Sequence, residues 1–268
     1  MMGDRLNSLQ DLFVVKIGGN IIDNENNLAS FLKQFAQLPA KKVLVHGGGK
    51  IATEFAEKLN IPQQVVEGRR ITDHDTLKIV TMVYGGWINK GIVATLQSND
   101  TNAIGLSGAD GNLIRAVKRK KGSIDYGYVG DIIEVNTNLL CQLLDNEYVP
   151  VIAPLTHDGN GQLLNTNADT IAQSIALAVA ARYKVSLIYS FEKTGVLKDI
   201  SDEASLISKM NAADYKSLHE KGIIYAGMIP KLENAFTALH GGVNRVIIGK
   251  AENLNSLVNG SSGTAIQI

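Results

Sequence analysis

Cysteine is almost missing from this chain. Cys141 stands alone among 268 residues, which rules out an intrachain disulfide scaffold and a zinc site built from cysteines. A reducing cytoplasm is the expected compartment. An excess of charge of one sign is missing too. Lys plus Arg and Asp plus Glu number 26 each, so no general affinity for nucleic acid or an anionic membrane surface is implied. The basic run Arg115–Lys121 reads as the solvated face of a hairpin. Long apolar runs are also lacking. The charge-free apolar stretch Thr170–Ala181 is about a dozen residues, short of the roughly 18 that suggest a membrane span. Met1–Asp11 has no apolar core of a secretory signal. His46, His74, His157, His219 and His240 are too scattered for local metal-ligand spacing.

Hydrophobic residues make up 45% of the chain, enough to bury a sizeable core. Short branched runs alternate with helical spacing. Leu12–Ile17, Val43–His46, Val149–Ala153, Val185–Tyr189 and Arg245–Ile248 read as buried strands. Leu28–Leu38, Ile51–Leu59, Thr137–Asn146, Ala168–Ala181, Ala212–Glu220 and Lys231–His240 read as helices. Thr72 with Asp75 resembles a capping box that opens a long helix to about Gln97. The stretch 102–135 suggests hairpins, and Thr264–Ile268 an edge strand. This alternation predicts an α/β fold with a mostly parallel sheet covered on both faces. Ligands of such sheets bind at the carboxyl ends of the strands, and the glycine clusters fall there.

Four clusters carry chemistry. Lys16-Ile17-Gly18-Gly19 ends the first strand, where glycine N–H groups and a lysine suit a phosphate; a plain surface turn is the alternative. His46-Gly47-Gly48-Gly49 leads into a helix whose N-terminus favours anions. Gly47-x-Gly49-x-x-Ala52, with Glu67 twenty residues on, also matches a dinucleotide fingerprint. That rival needs a buried strand before Glu67, where only Val65 and Val66 are apolar, and it leaves Lys16–Gly19 unexplained. No Walker A loop is present. Asn165-Thr166-Asn167-Ala168-Asp169 precedes the apolar helix; its asparagines suit an amide or carboxylate, and helix capping serves the composition equally well. Gly227-Met228-Ile229-Pro230-Lys231 places a cation at a helix start, against the dipole unless an anion binds. Arg70 is a candidate fork for a carboxylate.

In order and setting, K-I-G-G, V-H-G-G-G, E-G-R-R-I-T, L-S-G-A-D-G-N, L-N-T-N-A-D and G-M-I-P-K-L-E-N-A resemble the amino acid kinase family. The Arg70 segment and the two asparagines resemble its members that phosphorylate N-acylated glutamate. The resemblance runs from Lys16 to Lys231, with Ser262-Gly263-Thr264 in keeping. It implies a three-layer αβα sandwich with a mostly parallel central sheet. It also implies an N-terminal lobe, 1–175, for the acyl-amino acid and dimerisation, and a C-terminal lobe, 176–268, for ATP. By matching motif, Lys16 and Lys231 contact the transferring phosphoryl group and Asp169 organises both lysines. Gly48 and Gly49, with Gly18 and Gly19, cradle the γ-phosphoryl group. Arg70 takes the α-carboxylate, and Asn165 and Asn167 hold the acylated amine end. The implied reaction is ATP-dependent phosphorylation of the side-chain carboxylate of N-acetyl-L-glutamate, the second step of arginine biosynthesis. Mg²⁺ arrives bound through the nucleotide rather than on a metal site of the protein. Another acyl group such as succinyl, or a nucleotide-binding regulator of the same fold, are the alternatives.

Two stretches depart from the pattern. The family's Thr-Asp pair in the nucleotide half is replaced within Tyr189–Leu197, though Gly195-Val196-Leu197 is kept. Gly85 and Gly86 interrupt a helix, which costs stability unless something packs closely there. Only Met1–Asp11 precedes the first strand, at most roughly 17 Å of helix. Arginine-inhibited relatives resemble one another in a longer N-terminal helix, so a homodimer without arginine inhibition is expected.

Overall fold

The computed structural model describes residues 9–66, 69–224 and 228–268. Glu67, Gly68 and Gly227 of the motifs above, and most of the Met1–Asp11 segment, lie outside the described residues. Strand β1 (Asp11–Ile17) is followed by a single turn α1 (Gly19–Ile22), α2 (Glu25–Ala36), β2 (Lys41–His46) and α3 (Gly49–Lys58). A hairpin, β3 (Gln64–Val66) and β4 (Arg69–Ile71), precedes α4 (His74–Val80). That helix runs through a π-helical stretch, Thr81–Ile88, into α5 (Asn89–Gln97). Next come β5 (Ala103–Leu106), β6 (Ile114–Lys118), β7 (Gly130–Val135), α6 (Thr137–Asp145), β8 (Val149–Ile152), β9 (Leu155–His157), β10 (Leu163–Asn165) and α7 (Ala168–Val179). The remainder is β11 (Lys184–Phe191), β12 (Lys209–Met210), α8 (Ala212–Glu220), α9 (Ile229–His240), β13 (Arg245–Lys250), α10 (Leu254–Val258) and β14 (Thr264–Ile266).

Eight strands form the central sheet in the order β12-β14-β13-β11-β1-β2-β8-β5. All pairings are parallel except β13 with β14. Side chains of a strand alternate between faces, and β1 shows why both faces are covered. Leu12 and Val14 join a core with Leu140, Ile171, Ile175, Leu232 and Ala235, from α6, α7 and α9. Phe13, Val15 and Ile17 join the opposite core with Phe31, Phe35, Val80, Ile92 and Leu254, from α2, α4, α5 and α10. The αβα sandwich follows directly. Lys16 shares the face of Leu12 and Val14, so its side chain is directed toward α7 and α9.

A separate four-stranded sheet has the order β10-β9-β6-β7. It confirms a hairpin in β6 and β7, whereas β5 pairs with β8 at the end of the main sheet. Thr264–Ile266 is not an edge strand, because it lies between β12 and β13. The cap of α4 is Asp73, whose side chain accepts from Thr76 N at 2.7 Å. Thr72 is unavailable for capping: its N–H donates to the Tyr126 carbonyl, and its own carbonyl accepts from Tyr128 N. The glycine pair Gly85-Gly86 falls within the π-helical stretch, and Leu155 Cδ1 lies 3.3 Å from where a Gly85 Cβ would stand. Among the described residues, strand β3 pairs only with β4, and Val65 is left 57% exposed. The buried strand that a dinucleotide fold requires is therefore absent from this position, and the fingerprint at Gly47–Ala52 is a coincidence of glycines.

Candidate active site

Three charged side chains from separate elements meet at the carboxyl end of β1. Asp169, in the first turn of α7, is 5% exposed. Its Oδ1 lies 2.7 Å from Lys16 Nζ and its Oδ2 lies 2.8 Å from Lys231 Nζ. Burial alone would raise the Asp169 pKa, but the two ammonium groups override it and hold the carboxyl well below its usual range. Burial lowers the Lys16 pKa, and Asp169 opposes that shift. The trio carries a formal net charge of +1 on largely buried side chains. Tyr189 braces it from β11, its OH donating to the Asp169 carbonyl at 3.2 Å.

Two glycine turns flank the trio. Gly18 N–H donates to the Ser190 carbonyl at 3.2 Å, so Gly18 serves as a spacer with its donor already engaged. Gly19 opens α1, and Gly48 and Gly49 open α3. N–H groups at helix starts lack an intrahelical acceptor by geometry. Gly47 N–H donates to the Ile17 carbonyl at 3.1 Å, which ties the second turn to the first. Gly48 has φ +140°, and a Cβ there would stand 2.2 Å from Ile88 Cδ1. Both the left-handed backbone and the close packing require glycine.

Arg70 reaches this second turn. It donates to the Gly49 carbonyl at 2.7 Å, to Thr53 Oγ1 at 2.8 Å and to the Gln63 side chain. Thr53 and Gln63 belong to none of the sequence motifs; only the fold brings them to Arg70. Asn165 Nδ2 donates to Thr72 Oγ1 at 3.0 Å, joining β10 to the end of β4. Asn167 Oδ1 caps α7, accepting from Asp169 N at 2.8 Å and Thr170 N at 3.2 Å. Capping and site placement thus coincide, since the cap sets the turn that presents Asp169. Lys231 opens α9 one residue after Pro230. The cation opposes the dipole there, but Asp169 compensates it.

At the carboxyl end of β11, Ser190 Oγ and Thr194 Oγ1 are buried without a hydrogen-bond partner among the described residues. A cavity of about 420 Å³ opens nearby, lined by Lys193, Leu197, Lys198, Ile200 and Ile223 among others. A larger cavity, about 600 Å³, lies at the amino ends of β1, β2 and β8 beside Asp11, Lys41 and Tyr148, and contains none of the site residues above.

The amino acid kinase family profile matches residues 11–250. The chain belongs to the amino acid kinase family. Within this family it is 56% identical over 252 residues to an acetylglutamate kinase of Cytophaga hutchinsonii, covering 94% of this chain and 96% of that one. It is 50% identical to an acetylglutamate kinase of Phocaeicola vulgatus, covering 96% and 99%. A solved structure from Streptococcus mutans superposes with a TM-score of 0.79 at 28% identity, covering 96% and 98%. A carbamate kinase of Giardia lamblia bound to AMP-PNP shares the fold, with a TM-score of 0.69 at 14% identity and coverage of 97% and 98%.

Proposed function

We infer that this amino acid kinase transfers the terminal phosphoryl group of ATP to the side-chain carboxylate of N-acetyl-L-glutamate. The product is N-acetyl-L-glutamyl 5-phosphate, and the step is the second of arginine biosynthesis. The observation that carries the reading is Asp169 holding Lys16 and Lys231 between two glycine turns. The identity to acetylglutamate kinases over nearly the whole chain supports the choice of substrate.

The chemistry fits these residues. A carboxylate attacking a phosphoryl group brings two anions together. At about 4 Å and an effective dielectric near 20 they repel by roughly 4 kcal/mol. Positioning and positive charge are therefore the main requirements. Lys16 and Lys231 neutralise the transferring group and its leaving side, and Asp169 fixes where both ammonium groups stand. Gly19, Gly48 and Gly49 offer N–H groups to the γ-phosphoryl oxygens. No general base is required, because the nucleophile is ionised at neutral pH. Arg70 takes the α-carboxylate, and Asn165 with the Asn167 amide holds the acylated amine end. Mg²⁺, held through the nucleotide phosphates, would screen their charge when bound.

The sheet supports a division of labour. Strands β1, β2, β8 and β5 belong to residues 1–175, and β11, β13, β14 and β12 to residues 176–268. The first lobe binds the acyl-amino acid and the second binds ATP, with the cavity beside Lys193–Ile200 on the nucleotide side. We assign the protein to the cytoplasm; no described helix is long and apolar enough to cross a membrane. It acts as a homodimer formed by helices of the N-terminal half. Trp87, 71% exposed, and Met82, 57% exposed, on the π-helical stretch supply apolar area for that contact. Turnover with N-acetylglutamate, N-succinylglutamate, free glutamate and aspartate in parallel tests the substrate. Light scattering, and the same assay with millimolar arginine, test the dimer and its insensitivity to arginine.

A further inference from the structure

Three successive glycines are among the most mobile sequences a chain has, yet Gly48 and Gly49 must aim their N–H groups at one point. What holds them is a buried polar chain that the reaction itself does not use. His46, the last residue of β2, is fully buried. Its Nδ1 lies 2.8 Å from the Gly47 carbonyl oxygen, and its Nε2 lies 3.2 Å from Asn89 Nδ2. Asn89, 1% exposed, sits where the π-helical stretch ends, and its Nδ2 also donates to the Val151 carbonyl at 2.9 Å. Lys90 Nζ donates to Asn89 Oδ1 at 3.3 Å and to the Gly105 carbonyl at 2.9 Å.

The donors and acceptors close in one way only. A carbonyl accepts, so Nδ1 carries the imidazole proton. Burial pushes the His46 pKa down to about 4, so the ring is neutral and Nε2 is an acceptor. The Asn89 amide then spends one hydrogen on His46 and the other on Val151, while its oxygen accepts from Lys90. The same helical stretch also packs Tyr84 and Ile88 against Gly48. Polar and apolar contacts from one element thus fix consecutive residues of the turn.

We propose that His46 and Asn89 are a positioning pair that clamps the Gly47–Gly49 turn to the π-helical stretch and thereby aims the Gly48 and Gly49 N–H groups at the transferring phosphoryl group. The proposal rests on the phosphoryl-transfer reading above. Neither residue touches substrate. Their effect is on the geometry of the donors, so it falls on kcat more than on KM.

The test compares His46→Leu, Asn89→Leu and His46→Asn with the wild-type enzyme. Asparagine at 46 carries an amide N–H near the place of Nδ1 and so restores the bond to Gly47. His46→Leu and Asn89→Leu are expected to lower kcat on the order of 10²-fold, the cost of a misplacement of about 1 Å. The KM for N-acetylglutamate should stay within about threefold, because uniform binding is untouched. His46→Asn should recover only part of the lost kcat, because the bond to Gly47 returns while the bond to Asn89 does not. Hydrogen exchange of the peptide spanning residues 46–52 reads the same clamp without turnover: faster in both leucine variants, and partly restored in His46→Asn. A His46→Leu enzyme with wild-type kcat, a His46→Asn enzyme as impaired as His46→Leu, or unchanged exchange in all three would overturn the proposal. If a leucine variant fails to fold, His46→Asn and the remaining variant carry the comparison. Wild-type enzyme that releases no ADP with N-acetylglutamate would instead overturn the functional reading, and the exchange data would still decide the clamp.

Discussion

Replacing Asp169 with asparagine keeps the shape of the site and removes the charge that holds two lysines. The side chain is almost fully buried, with an ammonium nitrogen 2.7 Å from one oxygen and 2.8 Å from the other. Losing one partner from a buried charge cluster costs about 3–5 kcal/mol. For a chain of this size that lowers Tm by roughly 6–20 °C. The more specific consequence is on Lys16, whose pKa burial already depresses against the pull of Asp169. Asp169 is the opposing charge that holds it up. Without it the Lys16 pKa falls further, toward the range of the assay. Two opposite trends follow in Asp169→Asn. The folded state then binds fewer protons than the unfolded chain, so its stability deficit narrows as pH rises through that window. Turnover falls over the same window, because Lys16 loses its charge. Coupled ADP release and thermal unfolding from pH 6 to 9 read both. A variant whose rate follows the wild-type pH profile, or whose defect lies in KM alone, would refute this account of Asp169.

Lys16→Ala and Lys231→Ala should each lower kcat by roughly 10²–10³-fold, as for loss of a transition-state donor, with KM for N-acetylglutamate little changed. Arg70→Lys should weaken N-acetylglutamate binding by about 1–3 kcal/mol in calorimetry, since an ammonium cannot replace a planar fork that also holds Gly49, Thr53 and Gln63. His46, held neutral with a pKa of about 4, should make stability fall as pH drops from 6.5 toward 4, because the unfolded chain takes up a proton that the folded chain refuses. The expected loss is roughly 3 kcal/mol in denaturant titrations, and His46→Asn should abolish that slope.

Much of the fold was legible because burial on both faces writes itself as apolar strands: β1, β2, β8, β11 and β13 all lie where branched runs predict them. Partners were less legible. Thr264–Ile268 reads as an edge strand because so short a run carries no record of what lies on either side of it. Thr72 and Asp73 are both competent caps, and only the pairing of Thr72 with Tyr126 and Tyr128 decides between them. The dinucleotide fingerprint shows the converse: a local glycine spacing means nothing without a buried strand to follow it, and Val65 is on the surface. Within the site, Lys16, Asp169 and Lys231 are separated by up to 215 positions, and only their places at a strand end or a helix start suggest that they meet. The π-helical register of Thr81–Ile88 has no signature in periodicity, although Gly85-Gly86 marks the place. Asn89 did leave a signal, since it lies three and seven residues before the buried Ile92 and Leu96, on an apolar face where an amide needs a reason.

The central claim is that the two lysines serve transfer to a carboxylate, which makes an acyl phosphate. Hydroxylamine traps such a product as a hydroxamate, so hydroxamate and ADP should be measured together with N-acetylglutamate and ATP. Equal amounts of both are expected from the wild-type enzyme, with neither from Lys16→Ala above the residual rate. ADP formed without hydroxamate, or hydroxamate formed equally well from free glutamate, would contradict the account.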